Sequence, residues 1–462
     1  MLALPLMIST ASWSVNLFVD RMFLFWHSPD EMAAAMPAGL TYFTLLCFPL
    51  GIALYVNTFV AQYVGANRPD RVGRIVWQGA WIGLAVAPAM VVAQPLAPWF
   101  FTLLGHPAPV VDYEAFYFQT LTFGALPGVV SAAFASFFTG RGETRVVMLV
   151  DCSSSGLNVA LDYLWIFGLA GFPEMGIAGA GWATAVAQWA KAGAYWWLMT
   201  RPKHVTHYGI LSGMRLDRPL MIRLLKFGTP NALHLFFEVT AFTTLNLLVG
   251  RLGPVPMAAT TLAFNVNNLA WVPMIGLGIA VSTLVGQQLG RDRPSLAARA
   301  TWTAYILGSA YMGTMAVLYI AVPNVWLLGH AAGASPEEFD AIRDLTVVLL
   351  RFVAVFCLAD AMNMVFVSAL RGAGDMRFVL TAAVTIAAMA VGAAWIGLTY
   401  FDLGVYWAWT CVTGWVFMMG ATYFARFLHG RWRTLRVIEP EPSAEPHPEH
   451  PEPPSAMGAE SF

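Results

Sequence analysis

The sequence predicts an all-α integral membrane protein: twelve transmembrane helices in two homologous six-helix lobes, related as a parallel pseudo-twofold repeat. Three observations lead there. The 462 residues are 58% hydrophobic and 11% charged, with a mean hydropathy of +0.63, whereas a soluble domain carries about 25% charged residues. The apolar residues gather in runs of about 20 to 25, the length that crosses about 30 Å of hydrocarbon. The second half of the chain also repeats the first.

The runs lie near 2–27, 38–63, 75–97, 115–139, 146–168, 176–199, 227–250, 262–289, 301–328, 346–370, 378–400 and 404–428. Alternate loops carry the basic residues: Arg68, Arg71 and Arg74; Arg141 and Arg145; the cluster from Arg201 to Lys226; Arg291, Arg293 and Arg299; Arg371 and Arg377; and Arg426 to Arg436. Together these hold 20 of the 25 Lys and Arg residues, and only Arg251 and Arg343 lie clearly on the opposite face. Basic residues accumulate in short cytoplasmic loops. Both termini are therefore expected in the cytoplasm, with the chain multi-pass in the plasma (inner) membrane.

Shifting the chain by 225 residues lays "GIALYVNTFVAQYVGANRP" (51–69) on "GLGIAVSTLVGQQLGRDRP" (276–294). The same shift pairs Pro5 with Pro230, Arg74 with Arg299 and Trp77 with Trp302. With a seven-residue slip, "TGRGETR" (139–145) meets "RGAGDMR" (371–377). Shared hydrophobicity does not produce a fixed offset over such a length. Six spans is an even number, so both halves enter from one face and are related by an axis along the membrane normal. The expected domains are residues 1–200 and 227–430, a basic connector at 201–226, and a disordered Pro/Glu-rich tail at 431–462. The tail's end, "EPEPSAEPHPEHPEPPSAMGAESF", has little to bury, and His447 and His450 in it read as solvated side chains.

Several function classes are disfavoured. The net charge is −1 and the arginines form no patch, so no nucleic-acid partner is expected. Cys47, Cys152, Cys357 and Cys411 lie in apolar runs without a C-x-x-C, which indicates neither disulfides nor a zinc site. No G-x-S-x-G, H-E-x-x-H or ATP-binding loop occurs, so an enzyme is not expected and active transport would be secondary. Two bundles facing each other across a pseudo-twofold axis enclose a cleft, and rocking one against the other opens it to alternate sides.

A charged side chain at mid-bilayer costs about 2.5 to 3.5 kcal/mol on insertion scales, and a transporter can use that cost, because such an acid gains from binding a proton or a cation. Glu238 in span 7 stands mid-span with no Lys or Arg inside the same run, and Asp360 in span 10 stands midway between Arg351 and Arg371. In the first half, Asn158 and Asp162 are four residues apart on one helical face of span 5, and Asp20 lies in the outer part of span 1. An Asn with two carboxylates can coordinate Na⁺ or share a proton; helix-to-helix hydrogen bonding and an Asp20–Arg21 pair are the bland alternatives. Gln62 and Gln287 recur at equivalent places and read as packing or gating residues. The Met and aromatic residues read mainly as lipid-facing surface and interfacial belt.

These stretches, with "SAAFASFFTGRGETR", "NVALDYLWIFG", "FPEMGIAGAGWATA" and "ALRGAGDMR", resemble the MATE family, the multidrug and toxic compound extrusion transporters, from residue 3 to about 430. "LFFEVTAF" and "CLADAMNMVFVSALRGAGD" are similar to its NorM-type branch. The resemblance implies two lobes in a V, no cofactor, and export of amphipathic organic cations in exchange for H⁺ or Na⁺ by a monomer in the lipid bilayer. It implies a coupling-cation site at Glu238 and Asp360, or one at Asp20, Asn158 and Asp162 with Thr184 and Ala180 as further members. One departure stands out: sodium-coupled members of that branch carry a tyrosine one turn before the span 10 aspartate, where this chain has Phe356, which favours protons at that lobe. An exporter of lipid-linked precursors is the alternative; it would need a cationic cleft, and the intramembrane charges read as mainly acidic.

Overall fold

The computed structural model describes residues 2–104, 108–327 and 336–440. In chain order the helices are α1 (Ala3–His27), α2 (Pro29–Gly65), α3 (Pro69–Ala93), α4 (Ala97–Leu103), α5 (Ala108–Thr122), α6 (Ala125–Arg141), α7 (Thr144–Ile166), α8 (Ile177–Met199), α9 (Pro202–Tyr208), α10 (Arg218–Gly250), α11 (Pro254–Gly290), α12 (Pro294–Ala321), α13 (Pro323–Leu327), α14 (Pro336–Ala373), α15 (Met376–Tyr400) and α16 (Gly404–His429). Proline in the first turn opens α2, α3, α10, α11 and α12, where its missing N–H has no helical partner to lose. Glycine in the left-handed region closes α6 and α16, at Gly142 and Gly430.

Among the described residues, eight helices are long and apolar enough to cross a membrane, and α5 with α6, bent by 43°, makes a ninth. Three more have the length but are more polar: α1 with 25 residues, and α7 and α8 with 23 each. Nine and three give the twelve rods of a two-lobe membrane protein. The three polar rods all belong to the first half, and they build the site described below.

The duplication persists in the backbone of the paired helices and turns. Helices α2 and α11 have 37 residues each, from Pro29 to Gly65 and from Pro254 to Gly290, 225 residues apart. The turns that follow place Asn67 at φ 55° and Asp292 at φ 54°, again 225 apart, and Asn and Asp are the side chains that tolerate this conformation. After the seven-residue slip, Gly142 and Gly374 correspond, at φ 86° and 101°.

The halves meet at the end of the bundle that carries the arginines, the basic end. Gly65 and Gly290 face each other there: a Cβ on either would strike the partner helix's backbone, at the carbonyls of Gln287 and Gln62 respectively. Beside this crossing, Gln62 Nε2 donates to the Gly372 carbonyl at 2.9 Å and Gln287 Nε2 to the Gly140 carbonyl at 2.8 Å. These are one bond written twice by the repeat. Among the described residues, further hydrogen bonds between the halves run from here to mid-helix: Asn57 Nδ2 donates to Thr283 Oγ1 at 3.0 Å, Asn231 Nδ2 to the Gly51 carbonyl at 2.7 Å and Thr10 Oγ1 to the Val272 carbonyl at 3.2 Å. The bundle is closed at its basic end.

Two segments differ from the sequence expectation. Residues 218–226 of the expected connector are the first turns of α10, because Asp217 caps the helix by accepting from the Leu220 amide. What remains of the connector is packed against α3: Trp77 Nε1 donates to the Ile210 carbonyl at 2.8 Å and Trp81 Nε1 to that of Met214 at 3.0 Å. Residues 431–440 are likewise packed, although they were expected to be disordered. Trp432 is fully buried and stacks on Phe427, with ring centroids 4.8 Å apart. The Val437 amide donates to Gln62 Oε1 at 2.8 Å, and Glu439 pairs with Arg68 at 2.7 Å and Arg71 at 3.1 Å. A few apolar side chains and one acid thus fasten this segment over the junction of the halves. Residues 441–462, including His447 and His450, lie outside the described residues.

Candidate functional site

In the first half, α1 and α7 run parallel and bring together three of the sequence-predicted residues, with Thr184 of α8 as a fourth. Asp20, Asn158 and Asp162 are 6%, 2% and 0% exposed. Assigned from its neighbours, the Asn158 amide donates to Asn16 Oδ1 at 2.7 Å and Asp162 Oδ2 at 3.1 Å, while its oxygen accepts from the Thr184 amide at 3.0 Å. Tyr117 Oη donates to Asp20 Oδ2 at 3.3 Å. The charges of Asp20 and Asp162 act on each other, and the exposed Arg21 is the cation that acts on Asp20. Asp20 Oδ1 and Asp162 Oδ1 are both buried without a donor. Among the described residues no ion pair reaches either acid. Buried charges are ordinarily paired or hydrogen-bonded, so this cluster has one unmet requirement, a positive charge. Ala180 is fully buried in the same half, and its methyl supplies packing only.

The second half holds its acids differently. The Glu238 side chain is 38% exposed although protein surrounds it, which places it on the wall of a cleft. His234 Nδ1, one helical turn away, is 3.7 Å from Glu238 Oε2. Asp360 is 5% exposed with Oδ2 unpartnered, and Glu238 acts on it electrostatically. Phe356, where a tyrosine would add a hydroxyl, is buried and stacks on Trp409 with centroids 6.4 Å apart. Trp409 is itself held by its indole N–H, which donates to Thr260 Oγ1 at 3.1 Å.

The fold and both acid clusters now stand beside known proteins. The model of the MatE family matches residues 5–164 and 230–396. The chain belongs to the MatE family. Multidrug resistance protein NorM of Burkholderia vietnamiensis is 30% identical over 383 residues, covering 83% of this chain and 82% of that one. The probable multidrug resistance protein NorM of Bradyrhizobium diazoefficiens is 28% identical over 436 residues, 94% and 92% of the two chains. Among solved structures, a MATE in complex with MaL6 superposes with a TM-score of 0.83 at 22% identity over 94% of each chain. A eukaryotic MATE transporter does so at 0.82 and 17% identity, over 94% of this chain and 95% of that one. At those identities the structures speak for the fold.

Sequence reasoning about this MatE protein missed two groups. Arg371, counted among loop residues, is in the last turn of α14, where its charge acts on Glu238, Tyr55 and Tyr423; its carbonyl accepts from Tyr55 Oη at 3.2 Å. Asp151 and Lys191 are charged residues inside spans 5 and 6, paired at 2.8 Å. With Lys191 and Arg371 added, the charges singled out inside the spans are still mainly acidic, with Asp20, Asp151, Asp162, Glu238 and Asp360 on the other side. The signal was present: Asp151 stands eleven residues before Asp162, on the same face of its helix.

Proposed function

We propose that this MatE protein is a secondary active antiporter that exports amphipathic organic cations in exchange for H⁺ or Na⁺ across the inner membrane, with its basic end in the cytoplasm. The observation that carries this reading is the buried Asp20–Asp162 pair, two carboxylates with one unpartnered oxygen each and no ion pair. Such a pair gains from taking one positive charge. Closure of the bundle at the basic end, with Glu238 accessible on a cleft wall, fits a state open toward the outside.

In this cycle the ion enters from the outside and occupies the Asp20–Asn158–Asp162 cluster, with Thr184 positioning Asn158. The cluster then no longer favours the cationic substrate, which leaves outward. Glu238 and Asp360, close to His234 and Arg371, form the second acidic wall that draws a cationic substrate into the cleft. Coupling requires that ion and substrate favour different states, since a ligand with equal affinity for both shifts nothing. The names of the NorM relatives support drugs as the substrate class. No cofactor enters the scheme.

The test is transport of ethidium by purified protein in liposomes, driven separately by a Na⁺ gradient and a pH gradient. Movement under one gradient, lost in Asp162→Asn, is the expected result. Undiminished movement in both Asp20→Asn and Asp162→Asn would remove the assignment of the coupling site to the first lobe.

A further inference from the structure

Three helices of the first lobe carry polar residues in register. On α1 they are Ser9, Ser12, Asn16 and Asp20; on α7, Asp151, Ser155, Asn158 and Asp162. Spacings of three or four, seven and eleven residues keep each set on one helical face. The two faces meet rung by rung: Ser9 Oγ donates to Asp151 Oδ2, Ser155 Oγ to Ser12 Oγ at 3.5 Å, and Asn158 to Asn16 at 2.7 Å, with Asp20 and Asp162 interacting at the outer end. Helix α8 runs the other way and adds Thr184, Gln188, Lys191 and Tyr195 at the matching levels. Lys191 Nζ and Tyr195 Oη both reach Asp151 Oδ1 at 2.8 Å. Between the Asp151 level and Asn158 lies a cavity of about 110 Å³, lined mainly by these serines, Asn16, Gln188 and the Asp151–Lys191 pair. That is roomy and polar enough for several water molecules, since one water occupies about 30 Å³ in the liquid.

Most of this ladder is costly if its only task is to hold helices together. An ion pair and a column of hydroxyls replace apolar packing in α1, α7 and α8, the three membrane-length helices that miss the apolarity of the others. At a rise of 1.5 Å per residue, Asp151 stands about 16 Å from Asp162 along α7, toward the basic end.

We infer that this ladder is the route by which a proton taken up at Asp20–Asp162 leaves for the cytoplasm, with the Asp151–Lys191 pair as its last station. The inference rests on the antiport reading above and adds to it the identity of the ion. A proton passes from the outer acids along the Asn16, Ser12 and Ser155 level to Asp151, which accepts it on a carboxylate oxygen and opens its pair with Lys191. Its loss to the basic end restores the pair. One proton enters and one leaves, and the protein regains its starting charge. The groups facing Asp151 are Ser9 from α1 and Lys191 and Tyr195 from α8. Asp151 holds the Lys191 ammonium at 2.8 Å. The same ammonium repels Na⁺, which would need several oxygens and no cation on its path.

The experiment uses the full chain in liposomes, with ethidium movement and internal pH followed together. Asp151→Asn with Lys191→Met removes both charges at once and leaves neither unpaired. The double variant is expected to lose at least about tenfold in pH-driven transport, equivalent to about 1.4 kcal/mol, while ethidium binding is unchanged. Transport at the wild-type rate would overturn the inference and leave the pair as helix-to-helix bonding. Should the double variant not fold, Ser12→Ala with Ser155→Ala breaks the middle rung without touching a charge; slower proton release supports the route, and unchanged release overturns it. Lys191→Gln is expected to move the pH profile of transport, a readout that a packing role would not shift, and an unmoved profile counts against the station. Wild-type transport driven by Na⁺ alone would sink the proton route and leave the antiporter standing. Silence of the wild type under both gradients would sink the antiport reading itself.

Discussion

The two lobes share a backbone but not a site. In the first lobe Asp20 and Asp162 face amides and a phenol, with no ion pair and one bare oxygen each. In the second, Glu238 has His234 at 3.7 Å and the charge of Arg371 acting on it. Each cluster has one arginine acting on it from a distance, the exposed Arg21 on Asp20 and the buried Arg371 on Glu238, and only the second sets a histidine beside its acid. Elements that close the bundle repeat: the 37-residue helices, the Asn67 and Asp292 turns and the Gln62 and Gln287 bonds. Closure needs both lobes to present matching surfaces across one axis, so the copies are held alike. A binding site makes no such demand on its twin.

The comparison breaks most visibly at the acids. Asp162→Asn or Asp20→Asn is expected to reduce gradient-driven ethidium transport by about 100-fold or more, the loss of about 2.7 kcal/mol of coupling. Glu238→Gln or Asp360→Asn is expected to cost nearer tenfold and to act on ethidium affinity. If rates and binding show the second lobe's variants to be the more damaging in coupling, the roles of the lobes are reversed.

Closure at the basic end is the next lever. Gly65→Val puts a branched side chain where the Gln287 carbonyl and the Gly290 Cα already sit, and overpacking of this kind costs about 1–3 kcal/mol. Spin labels on α2 and α11 near that end are expected to move apart, and an unchanged distance distribution would show that the crossing can yield. Smaller still, Gln62→Ala and Gln287→Ala each remove one copy of the repeated bond, worth about 1 kcal/mol. Gln62 should cost more in thermal stability, since its Oε1 also accepts from the Val437 amide. Equal losses would mean that the 431–440 segment adds nothing to closure.

The smallest expected effect is on pH-dependent stability at the basic end. Burial pushes the His204 imidazole down from 6.5 to about 4, helped by the adjacent Arg141. The folded protein therefore binds this proton less readily than the unfolded chain. Stability from His204 is present above pH 6.5 and is lost as pH falls from there toward about 4. Melting of the detergent-solubilised protein at pH 7 and 5 should show the loss, and His204→Phe should flatten it. Glu439 follows at lower pH. Burial alone would raise it, but Tyr63, its own backbone amide, Arg68 and Arg71 hold it below its ordinary 4.5, so its contribution is present above that value and lost as pH falls below it.

The spans, the duplication and the acids at Asp20, Asp162, Glu238 and Asp360 could be read in the chain because each rests on periodicity or on a rare residue type. The Asp151–Lys191 pair could have been read in the same way, yet it hides among twenty-odd loop charges when basic residues are counted by segment. Arg371 was misplaced because α14 continues through the apparent end of span 10 to Ala373. The packing of 431–440 was invisible, because a Pro- and Glu-rich composition reports the average need for burial and not the single Trp432 that meets it.

By itself the sequence determined the twelve membrane-crossing segments, their twofold repetition and the residue types available inside the membrane. Apolar length and fixed offset are properties of the chain, and the bilayer leaves a long apolar helix few alternatives. Only the tertiary structure decided which polar residues meet. Whether Asp20 stands against Asp162, whether Lys191 reaches Asp151 and whether Arg371 acts on Glu238 all depend on how helices rotate and cross. That rotation is set by summed packing over whole helix faces, which no single residue or local spacing encodes.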